Sequence, residues 1–538
     1  MKKFNAALAA VLVFLIGATM LLSFVPPVGR DDLIHHLAVP KLYLSHGGIY
    51  EIPSLNFSYY PMNLDLLYTI PLYFGNDIAP KLIHFSFALL TAWLIFRYLR
   101  RRINLTYALI GGILFLSVPI IIKLSISAYV DLGLVFFSTA ALLLILEWID
   151  SGFCAKYLIL SAISCGLALG TKYNALIIFF LLTLFVMFLC SGCIKDNLPD
   201  FIHSVRYGII YAVIALLVFS PWMIRNWAWT HNPIYPLYNS RFNPAASSEI
   251  TGAPKKSYGL FTFRGVLYDE SAWEMVLLPI RVFFQGEDGN PKYFDGKLNP
   301  FLLLLPIAAF YRPKEELNIR REKKILLTFS ILFFTFTFFT TVLRVRYLVP
   351  MIPPLVILSV FGLKNIAQAN KWLMSFALSV FLMLNAHYIA AQVDYVKPFE
   401  YLSKKISRDD YILRYRPEHA AMQYINRNLP DTAVILFAFT GNRGYYCDRK
   451  YLLDSPTNTT SMLTAMMNRT DSPESLMAEL RRKRITHFLI GADLFTSWIN
   501  EQLSQKQQAI IREFLQKYVS KLFFEKGYAV LKAEYPDV

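Results

Sequence analysis

The stretch Pro26–Pro61, PPVGRDDLIHHLAVPKLYLSHGGIYEIPSLNFSYYP, concentrates ionisable side chains directly after an apolar run. Asp31 and Asp32 are adjacent, His35 and His36 follow, and Lys41, His46, Tyr59 and Tyr60 come behind them. Ionisable groups this close to a membrane are costly to desolvate and are kept mainly where they act. A carboxylate here could take a proton from an acceptor hydroxyl and stabilise positive charge developing on a sugar ring. More charges stand at the ends of apolar segments: Asp65 in YPMNLDLLY, Asp131 in SISAYVDLGLVFF, Lys172 in GTKYNA, Arg225 in PWMIRNW, and Arg344 and Arg346 in LRVRYLVP. The cations could hold a phosphate and stabilise it as it leaves. Acids and cations converging on one cavity would suit transfer from a lipid-linked phosphate.

Most of these residues also have a plainer use. Arg225 and Arg346 could snorkel to headgroups, and Lys172, after a Gly-Thr helix break, could do the same. Asp65 and Asp131 could cap helix N-termini. Tyr59 and Tyr60 suit an interfacial aromatic belt. His35 and His36 point apart on a helix, which argues against a shared metal. Arg344 and Arg346 lie about 160° apart on a helix, so one of them is expected to face the site. The carboxylate pair Asp31-Asp32 has no packing use directly after a span and is the sharpest candidate.

Long apolar segments must position these groups. A soluble globular chain is about 45–50% apolar and about 25% charged. This chain of 538 residues is 55% hydrophobic and only 17% charged. Apolar segments cover about residues 4–25, 78–99, 106–122, 129–148, 157–170, 173–189, 207–222, 300–310, 325–342, 347–363 and 372–391. That is about eleven spans of a hydrocarbon core about 30 Å thick. The net charge of +16 resides largely in short loops between these blocks, as the positive-inside rule expects, and points to membrane lipids rather than nucleic acid. The basic loops alternate in parity: Arg97 with Arg100–Arg102, Lys156, Lys195 with Arg206, Arg312 and Lys314 through Lys324, and Lys364 with Lys371. The N-terminus is therefore expected inside. The first loop (26–77), a long loop (225–299) with a possible interfacial helix SAWEMVLLPIRVFF, and the tail (393–538) are expected outside.

The tail is polar and reads as a small α/β domain. A helix is expected over Pro417–Leu429, strands at AVILFAF and THFLI, helices after the Ser472-Pro473 start and near Gln502–Tyr518, and a final hairpin around Gly527. It has no Gly-rich phosphate loop. Only Cys447 among the 5 cysteines lies in it, so it has no internal disulfide. Cys190-Ser-Gly-Cys193 has CxxC spacing but no second pair or nearby histidines, and reads as structural. Asn56, Asn458 and Asn468 open N-x-S/T sequons, which matter only in a glycosylating secretory pathway.

In order and topology these stretches resemble the GT-C superfamily, in the branch of the protein O-mannosyltransferases and the bacterial lipid A aminoarabinose transferases. The resemblance rests on Asp31-Asp32 just after the first span, YPMNLDLLY, SAYVDLGLVFF, GTKYNAL, PWMIRNWAWTHNPIYPLYN and RYLVPMIPPLVIL. It covers residues 1–391 and extends loosely to the tail. It implies a mostly α, polytopic transmembrane domain (1–392) with a C-terminal extracytoplasmic α/β domain. It implies an inverting glycosyltransferase that moves a sugar from a polyprenyl- or dolichyl-phosphate donor to a lipid, glycan or protein acceptor. The first-loop acids are then the catalytic position, where the family commonly has Asp-Glu, so either Asp31 or Asp32 could act. Asp131 matches the second acidic position, and Lys172 and the Arg344–Arg346 stretch match positions that can contact the lipid phosphate. Arg225, Asp65, His35, Tyr59 and Tyr60 complete the candidate substrate-binding set. No cofactor or metal ligand is expected, although some GT-C enzymes need a divalent cation. A bacterial inner membrane, with the site on its periplasmic side, fits the absence of disulfides. A ligase or polymerase using a diphosphate-linked glycan is an alternative. A secondary transporter is another, but transporters place ionisable groups near the midplane and often show internal repeats; here no repeat is visible and the charges cluster at one face.

Overall fold

The computed structural model describes residues 2–191, 198–244, 260–311, 316–340, 342–454 and 461–535. Cys193, Lys195, Arg312, Lys314 and Asn458 lie outside the described residues.

Every apolar segment read from the sequence is helical, but their lengths differ. Among the described residues, 6 helices are long and apolar enough to cross a membrane: Lys2–Ser23, Ala79–Arg102, Asp131–Asp150, Ser204–Thr230, Val345–Ala369 and Lys371–Val396. The pair Leu105–Ser117 and Pro119–Ser125, bent by 66°, makes up to 7 if taken as one span. Of the other segments expected to span, Leu317–Thr340 is a helix of 24 residues, and the rest are broken or shorter for local reasons. Pro119 cannot donate its backbone nitrogen and holds Val118 extended at ψ 128, which breaks the third segment. Ala155–Leu169 and Ala175–Cys190 are apolar but shorter, and Phe301–Ala308 has only 8 residues.

Two boundaries also move. The helix Leu198–Thr230 continues through Pro221, so Arg225 sits on a helix and not in the long loop. The last span continues to Val396 and stops at Lys397, which is left-handed at φ 50. The expected interfacial helix is two helices, Ala272–Val276, opened by a Ser271/Glu274 capping box, and Leu278–Phe284. They leave Trp273, Val276, Ile280 and Phe284 exposed.

Close helix contacts depend on small residues and buried polar links, as lipid-embedded packing favours. A Cβ on Gly362 would lie 2.2 Å from the Leu305 carbonyl oxygen, so Ile352–Ala369 packs directly on the Phe301–Ala308 backbone. Asn385 joins Asn299 (2.8 Å) to Ser117 (2.9 Å) across three segments. At the far ends of Ala79–Arg102 and Asp131–Asp150, Arg102 pairs with both Asp150 and Glu322, and Tyr98 donates to Glu322 at 2.6 Å.

The tail folds as expected around a five-stranded sheet of order β2-β1-β3-β5-β4, with β1 Val434–Ala438, β2 Lys450–Leu453, β3 His487–Gly491, β4 Val519–Glu525 and β5 Tyr528–Ala533. β1 runs parallel to β2 and β3, and β3, β5 and β4 are antiparallel in turn. Gly527, at φ 81, supplies the left-handed residue that closes the β4–β5 hairpin. The helix His419–Asn428 and the Ser472 capping box with Pro473 stand where the sequence placed them. The short strand β2 and the helix Ala492–Gln502 were not anticipated.

Candidate active site

The first loop leaves the Lys2–Ser23 helix through Pro26-Pro27 and tightens at once into the π-helix Asp32–His36, with Asp31 at its start. π-turns are rare and often found at functional sites, because the extra residue re-aims the side chains around it. Here it separates the two acids. Asp31 accepts a hydrogen bond from Arg346 Nη1, and the two side chains keep 19% and 16% of their surface. Arg346 comes from the 3₁₀ turn Val345–Met351 that opens the Ile352–Ala369 helix. Its guanidinium lies 5.6 Å from the Tyr129 ring centre and 5.2 Å from that of Tyr347.

A second ion pair stands beside the first. Asp131, the first residue of Asp131–Asp150, accepts from Lys172 Nζ at 2.6 Å. Asp131 is 1% exposed at its side chain and Lys172 17%. Lys172 lies in the turn between Ala155–Leu169 and Ala175–Ser191, and its ammonium is 5.6 Å from the Tyr347 ring centre. Tyr347 thus touches both cations, and the cluster alternates Asp31, Arg346, Tyr347, Lys172, Asp131.

Asp32 faces elsewhere. It is 1% exposed and packs against Gly29, where a Cβ would lie 2.4 Å from Asp32 Oδ2. Its Oδ1 is buried with no hydrogen-bond partner. Burial pushes its carboxyl up to about 7, against the pull of the Lys81 ammonium. Burial also acts to raise Asp31, but Arg346, with His35 and His36, overcomes it and holds that carboxyl well below the usual range. One acid is therefore kept ionised and the other kept neutral near pH 6.

Behind the pair, His36 Nδ1 lies 2.7 Å from Asp65 Oδ1. Burial pushes His36 down to about 3 and Asp65 up to about 7, so this contact is a neutral hydrogen bond near pH 5 rather than an ion pair. His35 stacks on Phe57 at 4.3 Å, with its Nδ1 buried and unpartnered. Burial lowers His35 to about 3 as well. Among the described residues, no three His, Cys, Asp or Glu side chains gather into a set that could hold a metal ion.

Residues 73–225 match the sequence model of the dolichyl-phosphate-mannose-protein mannosyltransferase family. ArnT from Cupriavidus metallidurans, in the apo state, is similar over 98% of this chain and 98% of its own, with 14% identity and a TM-score of 0.58. The same protein bound to undecaprenyl phosphate gives 99% and 98% coverage, 14% identity and a TM-score of 0.56. The archaeal oligosaccharyltransferase AglB from Archaeoglobus fulgidus, in complex with an inhibitory peptide and a dolichol-phosphate, is similar over 97% of this chain and 74% of its own, with 12% identity and a TM-score of 0.51. The chain as a whole therefore has the ArnT fold, and the mannosyltransferase family model matches it over residues 73–225 alone. No curated protein matches it by sequence.

Within this fold, the structure brings Asp31, Arg346, Lys172 and Asp131 together and sets other candidates apart. Arg225 makes no contact with either ion pair. It donates to the carbonyls of Tyr59 (2.6 Å) and Tyr60 (3.1 Å) from between the Trp222 and Trp229 rings, and so props the end of the first loop. Tyr59 donates to Glu51 at 2.6 Å, and the Tyr60 ring lies 5.3 Å from that of Tyr173. Arg344 turns away to Asp295 at 3.5 Å, joining Lys123, which lies 3.2 Å from both Asp295 and Asp288. Sequence reasoning missed Tyr347, Tyr129 and Lys81. A signal for Lys81 was present: a lysine and a histidine, Lys81 and His84, lie three residues apart inside an apolar span, and both are buried.

Proposed function

We propose that this protein is a membrane glycosyltransferase of the GT-C superfamily that moves a hexose or pentose from a polyprenyl-phosphate donor to a hydroxyl or phosphate of an extracytoplasmic acceptor, with inversion at the anomeric carbon. The single observation that carries this reading is the joined pair of ion pairs, Asp31–Arg346 and Asp131–Lys172, bridged by Tyr347. Asp31 removes the acceptor proton as the new O–C1 bond forms. The C1–O bond to the phosphate breaks, and the polyprenyl phosphate leaves with the electron pair. Arg346 and Lys172 stabilise the negative charge gathering on that phosphate. Asp131 orients Lys172, and the paired cations can exchange their carboxylate partners for phosphate oxygens when the donor enters. ArnT has a form bound to undecaprenyl phosphate, which supports a lipid monophosphate as the donor class. A bacterial inner membrane, with the C-terminal domain on its periplasmic side, completes the reading; charge alternation in the sequence supports that side.

Purified wild type and Asp31→Asn are incubated with a panel of polyprenyl-phosphate sugars. Release of free polyprenyl phosphate by the wild type, lost in Asp31→Asn, is the expected result. Release from a diphosphate-linked donor alone replaces this reading with that of a glycan ligase.

A further inference from the structure

The π-turn that separates Asp31 from Asp32 is held from outside the membrane domain. Its five-residue closure takes the Leu37 N–H to the Asp32 carbonyl (2.9 Å), where an α-turn would have taken it to Leu33. The Leu33 carbonyl instead accepts from the backbone N–H of Tyr445, in the C-terminal domain, at 3.1 Å. The neighbouring Tyr446 donates its hydroxyl to the Pro27 carbonyl at 2.8 Å, on the other side of the acid pair. Lys41, one turn beyond the histidines, donates to the Tyr445 carbonyl (2.8 Å), the Cys447 carbonyl (3.2 Å) and Asp448 (2.7 Å). Arg408 of the same domain reaches Asp77, at the foot of the next span, at 2.5 Å, and the Tyr445 hydroxyl donates to Asp77 at 3.3 Å. The loop Gly441–Asp448 therefore grips the first loop before, within and after the turn that carries the acids.

We infer that the C-terminal domain is a working part of the catalytic centre, with Tyr445, Tyr446 and Arg408 acting as positioning residues that hold the π-turn so that Asp31 faces Arg346. Two further observations agree. Tyr445 and Tyr446 are largely buried at this seam and pack with Leu33, Leu37 and Ala38 of the turn. Arg416, also from the C-terminal domain, has a buried Nε with no partner and lies near enough to Asp32 for its charge to act on that carboxyl. A domain that only covered the site would have no need to complete the hydrogen bonding of a turn within it. The inference rests on the transferase reading above for its kinetic part alone.

The full-length enzyme is compared with Tyr446→Phe, Arg408→Gln and the conservative Arg408→Lys. Lys517→Ala serves as a control, since its Glu474 partner lies within the C-terminal domain. Backbone hydrogen exchange over residues 31–37 is read alongside kinetics. The expected result is faster exchange there in Tyr446→Phe and Arg408→Gln, with kcat lowered about tenfold or more at unchanged donor KM, because small misplacements of a reacting group are costly. Arg408→Lys regains most of the rate, and Lys517→Ala matches wild type. Unchanged exchange and kcat overturn the inference. So does a rise in acceptor KM at constant kcat, which would make the domain an acceptor-binding surface. If no donor supports turnover in wild type, the transferase reading fails, and exchange alone decides whether the domain holds the turn.

Discussion

Asp31 and Asp32 are consecutive, yet one is ion-paired to Arg346 and part-exposed while the other is buried against Gly29 with an unpartnered oxygen. The pair is not two copies of one function. An ionised carboxylate that reaches a solvent-connected cluster can accept a proton, whereas a neutral buried one cannot. Asp31→Asn is expected to lower kcat about 10³-fold, the scale of general-base loss. Asp32→Asn swaps a protonated acid for a near-isosteric amide and should cost about tenfold or less near pH 6. Parallel single-turnover assays decide; equal losses in both variants would refute the division of labour.

The same geometry sets a pH dependence. Burial alone would raise the Asp31 carboxyl, and Arg346 more than offsets it. A base with a lowered pKa stays ionised as pH falls, so activity persists until pH drops through that lowered value. The acid limb of kcat/KM for wild type is therefore expected below the ordinary aspartate value of about 4. In Arg346→Gln the burial remains and the counter-charge is gone, so the limb should move above about 4. A pH–rate profile of both proteins measures this, and a limb that stays put in the variant would mean that Asp31 is not the titrating base.

Much of this arrangement was legible in the sequence, and the limits are physical. Apolar blocks and basic loops reveal spans because burial and charge placement are composition effects, so the helical segments and the separate tail could be read directly. Helix length was not legible where Pro119 broke a block or where Leu198–Thr230 ran on past Trp222. The acids and cations were found because they violate the apolar pattern. Their partners were not, since the Asp31–Arg346 contact joins residues 315 apart and Tyr446–Pro27 joins residues 419 apart. Nothing in RYLVP alone says that Tyr347 touches the cation of a distant turn. Nothing in the run Asp31-Asp32 predicts a π-turn, which is selected by tertiary contacts rather than by local propensity.

Arg344 and Arg346 test how far proximity in sequence translates into role. Arg344 joins the Asp295 and Lys123 cluster of the long loop, and Arg346 joins Asp31. Arg346→Gln is expected to lower kcat by about 10²-fold or more, as loss of one group stabilising developing charge does. Arg344→Gln removes a part-exposed ion pair, worth roughly 1 kcal/mol or less, and should leave kcat within a few-fold of wild type. Steady-state kinetics on the two variants at one pH separate them, and a comparable loss in Arg344→Gln would place both arginines at the phosphate.

The Lys172–Asp131 pair allows stability and function to be pulled apart. Asp131 is buried at 1% side-chain exposure, and Lys172 donates to it at 2.6 Å. Lys172→Met leaves a buried carboxylate without its closest cation, a kind of loss that costs about 3 kcal/mol or more. Asp131→Asn in that background removes the stranded charge, so Lys172→Met/Asp131→Asn should recover most of the lost thermal stability in detergent. Activity should not recover with it if the Lys172 ammonium meets the donor phosphate as proposed, and donor KM should stay raised in the double variant. Thermal unfolding and donor titration on the four proteins of this cycle give both readouts. Recovery of stability and turnover together would make Lys172 only a counterion for Asp131, whereas recovery of stability alone assigns its charge to the leaving phosphate.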